Sequence, residues 1–341
     1  MMAKLEPGFL ATAIGSMPYT SPEPACQAVL KFLPHLPAWP QLPKRSYYEG
    51  MYVQFGEGLP GVVEEGERIY IDTDRDVDQP LRQLQEDYEA MAVDSYAISR
   101  ERAAGFHAFL ASRLGTPRAV KGHLTGPISC GLSITDQERK PIIYHDIFSD
   151  ALAKHLRLKA AWQEKKLASL GYPTIIFVDE PYMSVFGSAH FALSREQTTS
   201  LLETVLGGIR GVKGVHCCGN TDWSVLLSTS TQIISFDAYN YAHTLPLYPD
   251  EVKAFLGRGG AIAWGIVPND EESLAGETLS SLRDRLEEAM GPFTRKGIPL
   301  RQLLSQGLVT PSCGLAPLSP EASLKALELL SQLSEEMRKK L

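Results

Sequence analysis

The sequence predicts an α/β fold, a single (β/α)8 TIM barrel covering residues 1–341 as one domain. Three observations carry that prediction. Short apolar, β-rich runs alternate with amphipathic helical segments along most of the chain. Counting them gives eight strands, each followed by a helix or a long connection. No Gly-rich phosphate fingerprint follows an early strand, which weakens the doubly wound alternative. A chain of 341 residues suits one large barrel, and neither an internal repeat nor a low-complexity linker divides it.

Leu10-Ala11-Thr12-Ala13-Ile14 is the first strand, and it ends in the small residues Gly15-Ser16. Ser21 is placed to cap a helix that Pro22 opens and that runs to about Leu33. Residues 34–61 contain Pro34, Pro37, Pro40, Pro43 and Pro60, so no long regular element is expected there. A stretch of that length without its own structure is usually functional. Within it, Trp39-Pro40-Gln41-Leu42-Pro43 marks the end of a second strand. From Gln79 to Arg113 the pattern is helical, with Leu81, Leu84, Tyr88, Met91 and Ala92 at helix spacing. Ala119 to Leu124 is the third strand, followed by the turn Thr125-Gly126-Pro127 and a helix from about His145 to Leu170. Thr174-Ile175-Ile176-Phe177-Val178 is unbroken and apolar, the mark of a strand buried on both faces. Ser194, with Gln197 three residues on, forms a capping box for a helix to about Ile209. The fifth strand carries Gly214-Val215-His216, the sixth is Ile233 to Asp237, and the seventh is Ala261 to Val267. A helix from Glu271 to Met290, the eighth strand Leu308-Val309-Thr310 and a final helix from Pro320 to Leu341 complete the chain.

Composition excludes several classes of function. Hydrophobic residues make up 44% and charged ones 21%, ordinary globular values that rule out disorder. A formal net charge of -7, with no basic cluster beyond Arg338-Lys339-Lys340, argues against a nucleic-acid partner. No apolar run reaches membrane-spanning length and the first 18 residues lack a signal pattern, so a soluble, cytoplasmic protein is expected. Five cysteines at low density do not form a disulfide framework. In a reducing compartment the adjacent pair Cys217-Cys218 points to a metal or to reactivity.

A barrel carries its chemistry at the C-terminal ends of its strands, and here those ends are polar. Residues two apart in a strand share a face, so His216 and Cys218 can converge on one ion while Cys217 points away. Cys313, in a tight turn between Pro311 and Gly314 after the eighth strand, supplies a second sulfur. One imidazole and two thiols are a zinc ligand set. Asp237 is either a fourth ligand or the acceptor that orients His216. Asp179 and Glu180 end the fourth strand as adjacent carboxylates, suited to a cationic group or to a helix N-terminus. His123, at the end of the third strand, is either catalytic or a satisfied core histidine.

The strand-end motifs resemble the C-terminal catalytic half of the cobalamin-independent methionine synthases. That family belongs to a superfamily shared with uroporphyrinogen decarboxylase and the methylcorrinoid:coenzyme M methyltransferases. The resemblance runs in order through Ile14-Gly15-Ser16, Leu124-Thr125-Gly126-Pro127, Val178-Asp179-Glu180-Pro181, His216-x-Cys218 and Pro311-Ser312-Cys313-Gly314-Leu315. It implies a zinc-dependent thiol S-methyltransferase, with Zn2+ on His216, Cys218 and Cys313 and a further carboxylate ligand falling at Asp237. It also implies that Ile14, Gly15 and Ser16 hold the carboxylate of homocysteine and Asp179 its amino group. The product would be methionine. Three departures stand out. Asp237 is one methylene shorter than the glutamate expected. Val53 occupies the place of an amine-binding glutamate, for which Glu49 or Glu57 can substitute. The separate N-terminal barrel of those synthases has no counterpart in this sequence. A short form with only the catalytic half is therefore expected to draw on another donor, such as methylcobalamin or a methylated corrinoid protein, with methylfolate kept as the remaining candidate. The alternatives are a coenzyme M-type acceptor and a non-catalytic zinc-binding protein.

Overall fold

The computed structural model describes residues 7–189 and 191–341. The part of the N-terminal reading that falls on residues 1–6 lies outside them. Eight strand positions form a closed parallel barrel. They are β1 (Leu10–Ala11), β2 (37–41), β3 (Val120–Thr125), β4 (Thr174–Asp179), β5 (Val212–Cys217), β6 (Ile233–Phe236), β7 (Ala261–Val267) and β8 (Gly307–Pro311). Parallel ladders run from β3 through β4, β5, β6, β7 and β8 to β1.

The join between β1 and β3 is made by β2, and its prolines explain its irregularity. Pro37 and Pro40 have no N–H to give to a ladder. The segment therefore bridges at single points: Lys121 N donates to Pro37 O (2.9 Å), Trp39 N to Lys121 O (3.2 Å) and Gln41 N to Gly15 O (3.1 Å). Side chains supply what the backbone lacks. Gln163, on the helix Asp146–Ala168, accepts from Trp39 Nε1 and from His123 N, and donates to His123 O. A Cβ on Gly105 would overlap the Pro40 carbonyl, so the helix Ala104–Ala111 rests directly on the β2 backbone.

Strand alternation sorts the core. Leu10, Ile175, Phe177, Val212, Ile233, Ala261, Ala263 and Leu308 form one buried cluster inside the barrel. Their neighbours Ile176, Val178, Val215, Ile234, Phe236, Ile262, Trp264 and Val309 belong to the larger cluster between sheet and helices. Each fully buried side chain of this size contributes about 1.5–3 kcal/mol, so the scaffold does not depend on its polar site.

The helices follow the predicted pattern with two breaks. The stretch from Gln79 to Arg113 divides into Asp78–Ala90 and Ala104–Ala111, because Met91 turns left-handed (φ 51°) and ends the first helix. The stretch from Glu271 divides at Thr278, whose side chain caps Leu279–Arg295 through a capping box with Ser281. The predicted capping box at Ser194 and Gln197 is present. A hairpin, Val62–Glu65 with Arg68–Ile71, was not predicted. Its strands mix glutamates with half-buried apolar residues, so no clear alternation announces it. No helix is long and apolar enough to cross a membrane among the described residues.

Candidate metal centre

The ligand atoms of His216, Cys218 and Cys313 lie within 4.8 Å of one another at the C-terminal mouth of the barrel. β5 delivers the first two from one face. Cys217, between them, turns into the core, where burial pushes its thiol up to about 12 and leaves it inert. Cys313 arrives from the loop after β8, which is clamped on both sides. Ser312 N donates to Val267 O (2.8 Å), and Asn269 takes the Ser312 hydroxyl (3.0 Å) while donating to Gly314 O (3.1 Å). Leu315 N donates to Ser16 O (2.8 Å), and a Cβ on Gly314 would overlap the Ser16 hydroxyl. The Cys313 loop is thus fixed to the ends of β1 and β7.

Whether these residues suit a metal is answered by two further observations. His216 Nδ1 lies 2.9 Å from Ser235 Oγ on β6, whereas its Nε2 is buried with no hydrogen-bond partner. A buried nitrogen left unpaired costs about 1–3 kcal/mol. With Nδ1–H donating to Ser235, the Nε2 lone pair is free to bind an ion. The hydrogen bond from Cys313 draws Cys218 down to about 4, with His216 adding to it. The same bond, together with burial, holds Cys313 well above the usual thiol range. A thiolate beside an open imidazole nitrogen is a ready cation site, and this donor set fits zinc.

The carboxylates are placed differently from one another. Asp237 does not join the cluster. Its Oδ1 accepts from Asn240 N (2.8 Å) and its Oδ2 from Asn240 Nδ2 (2.7 Å), capping the short helix Ala238–Tyr241. It does not orient His216 either, since Ser235 does that. Asp179 faces the barrel interior in register with His216, and its Oδ1 has no partner. Burial pushes its carboxyl up to about 6, against the pull of His216 and Lys121. Glu180 turns the opposite way and caps the helix Pro127–Ser133, accepting from Ile128 N (3.0 Å), Ser129 N (2.8 Å) and Ser129 Oγ (2.6 Å). Of the two readings of this acidic pair, the helix N-terminus is what Glu180 serves. A Cβ on Gly126 would overlap its carboxylate, which accounts for the glycine in Thr125-Gly126-Pro127.

The remaining predicted residues lie around this centre. Ile14 O accepts from Lys121 Nζ (2.6 Å), Gly15 O from Gln41 N and Ser16 O from Leu315 N, so this turn is stitched to β3, β2 and the Cys313 loop. His123 stacks on Trp39 (4.1 Å between centroids) and packs against Gly15. Burial holds it neutral, well below the usual imidazole range, and both ring nitrogens lack partners, so it is not a satisfied core histidine. Glu57 faces away from the cluster, accepting from Ser99 N (3.1 Å) with Arg102 at 3.7 Å. Glu49 is buried against Arg45 (2.7 Å), and Val53 is buried.

Two residues of the site were not singled out in the sequence, Ser235 and Lys121. Ser235 carries a legible signal, a lone polar residue in an otherwise apolar strand, whereas Lys121 shares one face of its strand with His123 and Thr125. Over the strand ends, Tyr52 and Tyr182 stack at 5.7 Å and 9°. Thr125 Oγ1 ties the Tyr52 loop down by donating to Met51 O (2.7 Å).

No protein-family model matches the chain, and no curated protein sequence does. Solved structures do. A methyltransferase from Methanosarcina mazei aligns with a TM-score of 0.58 at 14% identity, covering 96% of this chain and 94% of that one. The two share a fold. A B12-independent methionine synthase from Shewanella sp. W3-18-1, in complex with selenomethionine, aligns with a TM-score of 0.47 at 22% identity. That alignment covers 65% of this chain and 63% of the other, a partial likeness.

Proposed function

We propose that this protein is a zinc-dependent methyltransferase whose acceptor is a small thiol, homocysteine giving methionine being the first candidate. The observation that carries the reading is the cluster of His216, Cys218 and Cys313, with the buried Nε2 of His216 left unpaired. No fourth His, Cys, Asp or Glu ligand joins it among the described residues. Three protein ligands with an open position characterise catalytic zinc, and four characterise structural zinc. The full-length likeness of fold to a methyltransferase is consistent with this chemistry.

Zinc held by these three residues would supply the positive charge that keeps an acceptor thiol deprotonated near neutral pH, where a free thiol with a pKa of about 8.5 is mostly protonated. The chain does the rest. Ser235 sets the imidazole of His216, and the Ile14–Ser16 turn, fixed on three sides, lies beside the Cys313 loop to position the head of the acceptor. Asp179 offers one unpaired oxygen towards the same interior. The acceptor sulfur attacks the methyl carbon in line; the new S–C bond forms as the donor leaves with its electron pair, and the protein contributes mainly by positioning. The donor, a methylcorrinoid or methylfolate, would approach from the side of Tyr52 and Tyr182. We infer that the whole chain is one catalytic barrel working in the reducing cytoplasm, where Cys218 and Cys313 stay available.

The test is an acceptor and donor screen on zinc-loaded protein. Homocysteine and coenzyme M are each offered with methylcobalamin and with methylfolate. The reading requires methylation of one of these thiols, lost together with the zinc in Cys218→Ser and Cys313→Ser while circular dichroism shows the fold intact. Collapse of the fold when zinc is lost would instead mark a structural metal.

A further inference from the structure

The chemistry of the centre leaves one buried group without a task. His123 is 2% exposed, and neither of its ring nitrogens has a hydrogen-bond partner. The ring itself is closely held. Trp39 stacks on it, 4.1 Å away between centroids and 17° from parallel. Gly15 packs against it so tightly that a Cβ there would stand 2.6 Å from both Nδ1 and Nε2. Gln163 locks the stack, accepting from Trp39 Nε1 (3.0 Å) and His123 N (2.9 Å) and donating to His123 O (3.0 Å). None of these bonds uses a ring nitrogen. Leaving such a group buried and unpaired is costly, and here the surroundings fix its position without relieving that cost.

Register turns the imidazole into the barrel. His123 pairs with Phe177 of the interior cluster and lies one inward position below Thr125, which is level with Asp179 and His216. Two residues of strand span about 6.6 Å, within reach of a short thiol acid. The hydroxyls of Thr12 and Thr310, two residues on from the interior Leu10 and Leu308, are likewise buried and unpartnered. In the Ile14–Ser16 turn beside the ring, all three carbonyl oxygens are engaged by Lys121, Gln41 and Leu315, so the turn sets no unengaged carbonyl against an incoming anion.

We propose that His123 is a further binding residue for the acceptor, one ring N–H donating to the carboxylate of the thiol acid whose sulfur sits at the metal centre. This deepens the thiol-methylating reading and rests on it. A neutral imidazole carries one N–H and one lone pair, and a hydrogen bond to an ionised oxygen is stronger than one between neutral groups. A thiol lacking the carboxylate leaves that N–H buried and unpaired, which is how a polar site rejects an analogue.

Calorimetric titration of zinc-loaded protein compares homocysteine with 3-aminopropane-1-thiol, the same molecule without its carboxylate. The wild type binds homocysteine more tightly. His123→Phe keeps a ring against Trp39 and Gly15 but removes both nitrogens; it weakens homocysteine about tenfold or more and leaves the aminothiol and the zinc content unchanged. Equal affinity of the two thiols in the wild type overturns the proposal. So does an unmoved homocysteine affinity in folded, zinc-bearing His123→Phe, or a loss shared equally by both thiols, the mark of a merely structural ring. Where the phenylalanine variant does not fold, ring 15N NMR of the wild type takes its place: one imidazole responds to homocysteine and not to the aminothiol, and absence of that response overturns the proposal. Binding of neither thiol to wild-type protein holding its zinc overturns the homocysteine reading of the centre itself, and the proposal with it.

Discussion

Ser235 shows how much a single hydroxyl can govern. By taking His216 Nδ1 it leaves the buried Nε2 as the unpaired ring nitrogen. Ser235→Ala is expected to weaken zinc binding by about 10–100-fold, read by competition with a chelator, with the melting temperature little changed. The neighbouring acidic pair shows where sequence stopped being enough. Asp179 and Glu180 look alike as letters, yet consecutive strand residues face opposite ways, sending one into the barrel and the other to the helix Pro127–Ser133. Adjacency was legible; direction was not. The convergence of His216 and Cys218, by contrast, was legible because their i, i+2 spacing already fixes a shared face. Glu180 also makes a pH prediction. Burial raises its carboxyl to about 7, above its unfolded value near 4.5. The folded state then binds more protons than the unfolded state between those values, so this group's contribution to stability is present below about pH 4.5 and falls as pH rises to about 7. Urea titrations of wild type and Glu180→Ala across that window should show the variant less stable throughout but with the smaller decline.

At the scale of elements, the strands were readable and the joints between them less so. β4 and β7 announce themselves as unbroken apolar runs. β2 was found only by its end, because its prolines prevent a regular ladder and its place depends on Gln163 and Gly105 from distant helices. Gly105→Ala should therefore cost about 1–3 kcal/mol in chemical denaturation, since the added methyl meets the Pro40 carbonyl with no flexible side chain to give way. The breaks at Met91 and Thr278 escaped the helical periodicity because backbone conformation and capping, not apolar spacing, set them. Gly314→Ala tests a joint at the site itself. By pressing on the Ser16 hydroxyl it should displace the Cys313 loop and lower zinc affinity more than stability, read by chelator competition beside a thermal melt.

Across the whole molecule, stability and chemistry are separable. The interior cluster from Leu10 to Leu308 and the larger shell beneath the helices are continuous without the metal centre. Chelation should therefore leave the circular dichroism spectrum of the barrel in place while lowering the melting temperature by the lost binding free energy alone. The central claim, three protein ligands with room for an incoming sulfur, is tested most directly by zinc X-ray absorption on the loaded protein with and without an acceptor thiol. The account predicts about one zinc per chain bound by one nitrogen and two sulfurs of the protein, and a third sulfur when the thiol is added. A shell of four protein ligands that the thiol leaves unchanged, or no stoichiometric zinc at all, would contradict it.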